Sequence, residues 1–248
     1  MNPKTARRTK SKLGREAVLD VAMQLADTEG LDAISFRRLA EQFEVTPMAL
    51  YWHFEDKEAL LAALADRLWG QAAGSLSQAL ERLPASDDDG WGQLRLTLTA
   101  LVEAMRSHPA VAELVPTRVL ECEAGREVTE LTLGFLADHG FAPEHASDLG
   151  LFILSSAVML VSTQTGNEIP EPDERAEHQR RKRIALASLP PARYPHIIAC
   201  AGYLTDCESP DSYFTHGADA IIAGVRAQAP SSLRPRRKGE QECQQYSE

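Results

Sequence analysis

The sequence predicts an all-α chain in two parts: an N-terminal three-helix unit of helix-turn-helix type, and a larger helical core. Three observations predict this. Apolar residues recur at helical spacing along most of the chain, with no convincing strand-length alternation and no internal repeat. The run Thr46 to Lys57, TPMALYWHFEDK, puts aromatics on a segment too short to be stable alone, so neighbouring helices must hold it. Charge is divided along the chain: Lys4, Arg7, Arg8, Lys10, Lys12 and Arg15 stand in the first fifteen residues without an acid, although the whole carries a net charge of -10. The predicted parts are a flexible basic arm (1–14), the helix-turn-helix unit (15–56), the core (57–228) and a disordered tail (229–248).

The arm is poor in apolar residues and dense in one sign of charge, which disfavours a packed structure. It reads either as a strand that follows a nucleic-acid backbone or minor groove, or as a plain solubilising tail. Arg15 to Glu29 follows, with Val18, Val21, Ala22 and Leu25 on one helical face and Gly30 as its stop signal. Ser35 to Phe43 places Phe36, Leu39, Ala40 and Phe43 together, and Glu44-Val45 is a tight connection to Thr46. Thr46 can cap the next short helix and Pro47 suits its first position. In a tri-helical unit of this kind the second helix of the pair can enter a DNA major groove while the first lies across the backbone.

A long helix, about Asp56 to Leu83, continues through Leu60, Leu61, Leu64, Leu68 and Leu76. Lys57 in its first turn opposes the helix dipole, a small local cost that a docked phosphate would offset; a solvated surface lysine is the plainer reading. Pro84 to Gly90 (PASDDDG) marks a loop. Trp91 to Ser107 is periodic through Leu94, Leu98, Leu101, Val102 and Met105, and Val111 to Leu120 is a shorter helical stretch interrupted by Pro116. Glu123 to His139 points Val128, Leu131, Phe135 and Leu136 inward. Pro143 to about Thr165 is apolar nearly all round, so it lies at the centre of the core or is shared with a second subunit. After a proline break at Ile169 to Pro172, a charged helix runs to about Leu189, acids first and bases (Arg180 to Arg183) last, as a solvated helix or a second nucleic-acid contact would have them. Short or irregular structure fills 190–210, and Tyr213 to Gln228 closes the core with Phe214, Ala218, Ile221, Ile222 and Val225.

Composition removes several classes. Cys122, Cys200, Cys207 and Cys243 show neither metal-type pairing nor a disulfide framework, which fits free thiols in a reducing compartment. The apolar run Leu149 to Thr163 is broken by Gly150, Ser155, Ser156 and Ser162 and is too short to span a bilayer, favouring a buried helix and no membrane partner. Net acidity would argue against nucleic acid, but residues 1–54 carry eight bases against seven acids, so the acidity belongs to the core. His139, His145 and Asp148, and Glu174 with His178, lie near one another, yet no Glu-x-x-His, His-Glu-x-x-His or nucleophile motif is present, so an all-helical enzyme or metal protein lacks its ligands.

The run Leu50-Tyr51-Trp52-His53, then Lys57 and Ala59-Leu60-Leu61, together with the preceding helix and the Thr46-Pro47 start, resembles the N-terminal domain of the TetR family of bacterial transcription regulators. GFAPEHASDL after a helix, Pro190-Pro191 and a last helix rich in Ile, Ala and Gly are more loosely similar to that family's C-terminal domain. The resemblance implies a cytoplasmic homodimer on double-stranded operator DNA, with helices near 143–165 and 213–228 paired across a twofold axis. It also implies a small-molecule effector, no cofactor and no enzymatic activity. On DNA, Arg37 would take a guanine edge, Pro47, Met48 and Ala49 would make apolar base contacts, and Thr46, Tyr51, His53 and Lys57 would hold phosphates. Trp52 would either pack under the turn or touch the backbone.

The effector would lie among Leu98, Leu101, Met105, Val115, Phe135, Phe152 and Met159, each of which plain core packing explains equally well. Such a lining suits a small, largely hydrophobic ligand. Tetracycline itself is disfavoured, because the resemblance implies a magnesium chelate held by a histidine and a partner-subunit glutamate. The nearest positions here are Val115 and Thr163; His108 precedes Pro109, where the family's metal histidine is not found. A core used only for dimerisation or protein contacts is the alternative.

Overall fold

The computed structural model describes residues 13–83, 91–163, 172–205 and 210–230. Most of the basic arm, the acidic loop at 84–90, the proline break, Cys207, Cys243 and nearly all of the tail lie outside the described residues. Among the described residues every regular element is helical.

Helix α1 (Arg15–Glu29) buries Val18, Leu19, Ala22, Met23, Leu25 and Ala26, with Val21 at the edge of that face. Gly30 ends it at φ 86° and ψ 167°, donating its N–H to the Ala26 carbonyl at 2.7 Å. This backbone region is open only to glycine. A 3-10 turn (Leu31–Ala33) leads to α2 (Phe36–Phe43), whose first turn is capped by Ser35 Oγ accepting from Arg38 N–H at 3.3 Å. Glu44 then adopts the left-handed conformation at φ 56°, and Val45 N–H reaches back to the Ala40 carbonyl at 3.0 Å. This is the tight turn of the motif.

The segment after the turn, Pro47–Trp52, is a single 3-10 stretch. Thr46 makes no side-chain cap, contrary to the sequence expectation. The physical reason is length: over six residues the chain closes i→i+3 bonds, Ala49 N–H to Thr46 C=O and His53 N–H to Leu50 C=O, both 2.9 Å. Leu50 and Phe54 are its anchors in the small core, fully or almost fully buried with Ile34, Leu39 and Leu60.

Helix α3 (Lys57–Leu80) begins with Asp56 accepting from Ala59 N–H at 2.7 Å. Its near end packs on α1, and its remaining length packs on α4 (Gly92–Arg106), the 3-10 stretch Pro109–Arg118 and α5 (Glu123–Asp138). Helix α6 (Pro143–Ser162) lies against α4, α5 and the 109–118 stretch, and α9 (Pro210–Ala227) closes on α4 and α6. Gly217 permits that last approach, since a Cβ there would stand 2.5 Å from Leu160. Helices α7 (Pro172–Ala187) and α8 (Pro195–Ala199) pack on each other. On α7, Glu177 accepts from Arg180 and Arg181 at 2.9 and 2.8 Å, and these guanidiniums pull its carboxyl down to about 2.

Two sequence expectations about faces are corrected. Leu131 of α5 is exposed, because the inward stripe runs through Val128, Thr132, Phe135 and Leu136. Helix α6 buries Leu149, Ile153, Leu154, Ala157 and Val161 but leaves Leu151, Phe152 and Met159 in solvent. At 20 residues and a mean hydropathy of 1.4, α6 is longer than the apolar run within it and matches a membrane span in length and composition. One face of it belongs to the core.

Replacing Gly30 by alanine should destabilise the protein by about 1–3 kcal/mol, because alanine must occupy a glycine-only backbone region. A lower urea midpoint at unchanged slope is the expected result, and an unchanged midpoint would contradict it.

Candidate nucleic-acid interface and core cavity

The first site is the outer surface of the helix-turn-helix. Leu50 and Phe54 hold the 47–52 stretch from beneath, so its other side chains stand outward: Met48 is 69% exposed, Tyr51 53% and Trp52 87%. Trp52 is therefore not packed under the turn. Tyr51 keeps one edge on Phe36, ring centroids 4.7 Å apart, which fixes its direction. Thr46, Pro47 and Lys57 are exposed, while Ala49 and His53 are half-buried. Arg37 stands on the solvent side of α2, 3.3 Å from Glu41, a weak surface pair that a stronger acceptor can replace. Lys57 Nζ lies 3.5 Å from the Leu31 carbonyl. All nine residues proposed for DNA thus belong to one contiguous piece of chain and its supporting helix.

Framing contacts absent from the sequence reading set this surface. Arg15 donates to the His53 carbonyl at 3.1 Å and lies over the Phe54 ring, tying the start of α1 to the end of the 47–52 stretch. Arg38 makes two bonds of 2.6 Å to Glu29, holding α2 to the end of α1. The Arg38 guanidinium, hydrogen-bonded to the Glu29 carboxylate, holds the pKa of that carboxyl below its ordinary value. Long-range pairing of this kind leaves no periodic mark in sequence.

The second site is a cavity of about 270 Å³ within the core. Its walls are Trp69 of α3, Leu101 of α4, Val119 and Leu120, the α5 face Val128, Thr129, Thr132 and Leu133, and the α6 face Ser147, Gly150, Leu151, Ile153 and Leu154. Of the seven residues expected there, the structure places Leu101 in the wall. Leu98, Met105, Val115 and Phe135 are buried elsewhere in the core, and Phe152 and Met159, at 52% and 63% exposed, face away from it. The reason lies in α6. A helix apolar all round gives no periodic clue to its inward face, and the true one is offset by a residue from that expected. Thr129 and Thr132 were missed because apolarity was the criterion, although both share a helical face with Val128.

Trp69 joins the cavity to the rest. It is 2% exposed and its indole N–H donates to the Val115 carbonyl at 3.0 Å. One turn earlier on α3, Asp66 accepts from Arg118 at 2.9 and 3.2 Å, and Arg118 also pairs with Glu121. Arg67 pairs with Asp20 of α1 at 2.6 Å. At the other end of the 109–118 stretch, His108 Nδ1 stands 2.7 Å from Asp27 of α1. Both ends of the stretch beside the cavity are thereby tied to α1 and α3, the helices that flank the helix-turn-helix.

Among the described residues the remaining histidines and cysteines lie in separate places. His139 stacks on Phe135, ring centroids 4.1 Å apart, with its Nδ1 2.8 Å from the Phe135 carbonyl, while His145 reaches Gln228 at 3.1 Å. Among the described residues no three His, Cys, Asp or Glu side chains converge as metal ligands. Cys122 caps α5 through Sγ, and burial pushes its thiol up, away from thiolate reactivity.

A helix-turn-helix with an outward aromatic and apolar segment, mounted on an all-helical core with a half-open cavity, defines a DNA-binding regulator. Comparison with known proteins specifies the family. Residues 18–64 match the family described as bacterial regulatory proteins, tetR family, and residues 83–229 match the tetracyclin repressor-like C-terminal domain. The chain is 31% identical over 223 residues to the tetracycline repressor protein class C of Escherichia coli, covering 87% of this chain and 91% of that one. It is 26% identical to an HTH-type transcriptional regulator of Saccharopolyspora erythraea, over 92% and 90% of the two chains. The crystal structure of the Streptomyces coelicolor TetR family protein ActR in complex with actinorhodin superposes with a TM-score of 0.63 at 25% identity, covering 88% of this chain and 99% of that one. The chain belongs to the TetR family of transcriptional regulators.

Replacing Trp69 by phenylalanine should cost about 1–3 kcal/mol, since the buried Val115 carbonyl loses its donor. Chemical denaturation measures it, and a neutral result would mean that the bond contributes nothing.

Proposed function

We propose that this chain is a homodimeric repressor, released from a palindromic operator by a small, largely hydrophobic effector bound in the core cavity. One observation carries the reading: α3 begins at Lys57 on the DNA-binding face and, twelve residues on, contributes Trp69 to the cavity wall. A ligand pressing on Trp69 or on the neighbouring Val119 and Leu120 acts on the same rigid helix that supports the recognition segment. The pairs Arg118 to Asp66, Arg67 to Asp20 and His108 to Asp27 carry that displacement into α1. A coupling of only ~1–3 kcal/mol changes operator affinity about 5- to 150-fold.

Dimerisation is supported by the face of α6 that the single chain leaves bare, Leu151, Phe152 and Met159, beside the close α6 to α9 crossing at Gly217. It also follows from DNA geometry, since one recognition segment reads too few base pairs to be selective and a twofold pair reads two half-sites. The names of the relatives, repressors among them, and the actinorhodin complex of ActR agree with repression relieved by a small molecule. Such a regulator works where the chromosome is, in the cytoplasm, and needs no catalysis. A core serving only dimerisation or protein contacts is the second reading, and the cavity weighs against it.

Selection of bound sequences from a random DNA pool by the purified protein tests the function. An enriched palindrome is expected, and no enrichment at low salt would refute sequence-specific reading. On that operator, Arg37→Ala should cost about 1–3 kcal/mol and relax one position, whereas Lys57→Ala should weaken all sequences alike and flatten the salt dependence. Equal loss of specificity from both would contradict the assignment of Arg37 to a base and Lys57 to a phosphate.

A further inference from the structure

The cavity lining carries no charged side chain among the described residues; its polar groups are hydroxyls and one indole. The protons of the inner ones are already committed. Thr129 Oγ1 donates to the Gly125 carbonyl at 2.8 Å and Thr132 Oγ1 to the Val128 carbonyl at 2.7 Å, each one turn back along α5. The indole N–H of Trp69 is given to Val115 at 3.0 Å. A threonine hydroxyl has one proton and two lone pairs, so once the proton is bonded to the helix backbone the oxygen can only accept. Arg118, next to the wall in sequence, is turned onto Asp66 and Glu121. Ser147 stands at the exposed mouth.

Resting on the effector reading above, we infer that the cavity selects an uncharged effector bearing a hydroxyl or N–H donor, read by the lone pairs of Thr132 and Thr129 on α5. The chemistry excludes the other classes. A carboxylate or phosphate would bring acceptors against acceptors and a charge without a partner into an apolar space, which costs several kcal/mol in general. An apolar molecule with a carbonyl or ether as its polar group fits the walls but leaves the lone pairs of both sides facing. A flat phenol, alcohol or amide edge satisfies Thr132, which is buried, and its apolar remainder lies on Leu101, Val128, Ile153 and Leu154.

The test is calorimetric titration of the full-length protein with three probes of one shape: 1-naphthol, 1-methoxynaphthalene and 1-naphthoate. 1-Naphthol should bind about tenfold more tightly than the methyl ether, the scale of one buried hydrogen bond, and 1-naphthoate most weakly. Thr132→Val keeps the shape and removes the acceptor, so it should bring naphthol and its ether to similar affinity while leaving the ether's own binding nearly unchanged. Thr129→Val, at the half-buried position, should narrow the gap in part. Equal binding of all three probes, preference for the naphthoate, or a naphthol preference unmoved in both variants would overturn the inference and leave the cavity as a ligand site. Binding of none of the three, by protein that still selects operator DNA, would overturn the effector reading itself.

Discussion

The structure depends on the burial of one helix in one continuous core. Helix α3 gives Leu60, Leu64, Leu68, Trp69, Ala72 and Leu76 to a core that also holds Leu50 and Phe54 under the 47–52 stretch and the buried faces of α4, α5 and α6. Neither end of α3 can shift without opening a cavity or breaking a contact, because close-packed interiors are stiff. Trp69 sits where this burial meets the cavity. It is a large side chain held by both packing and a hydrogen bond, and it also lines the cavity. A ligand placed there meets a wall fixed to α3 and to Val115.

Electrostatics follow the same division. Bases concentrate at the N-terminal end of the sequence and acids in the rest, a distribution that suits the N-terminal end to face phosphates. Within the chain, the ion pairs that matter structurally run between units: α1 is tied to α3 through Arg67 and to the 109–118 stretch through His108. These side chains are partly exposed, and each pair alone contributes little to stability. Their geometry suits them to set direction, since one joins α1 to α3 and the other joins α1 to the start of the stretch that leads to Val119 and Leu120 of the cavity wall.

The all-helical architecture was legible because it rests on periodicity. The helix-turn-helix was legible because its parts are local: the stop at Gly30, the tight connection at Glu44 and Val45, and Pro47 each act on near neighbours in the chain, while the cap at Ser35 was not read and the cap expected at Thr46 is not made. The exposed recognition segment followed from the same locality, although its 3-10 form did not, since Thr46-Pro47 is compatible with either helix. The cavity was poorly legible. Helix α6 is apolar on every side, so Phe152 and Met159 could not be told from Ile153 and Leu154 by pattern. The polar lining was invisible because Thr129 and Thr132 look like ordinary helix threonines until their hydroxyl protons are seen to be spent. Trp69 carries a signal in its size and its place on the long helix, but a large apolar side chain there reads equally well as plain core.

Linkage makes the coupling through α3 measurable without knowing the effector. If the cavity influences the DNA face, DNA must influence the cavity to the same extent. Amide hydrogen exchange of the full-length protein, free and bound to its selected operator, is the direct measurement. Changed protection is expected at 64–69 of α3 and at 115–120, as well as at the recognition segment. Changes confined to 35–57, with the cavity walls exchanging alike in both states, would contradict the coupling.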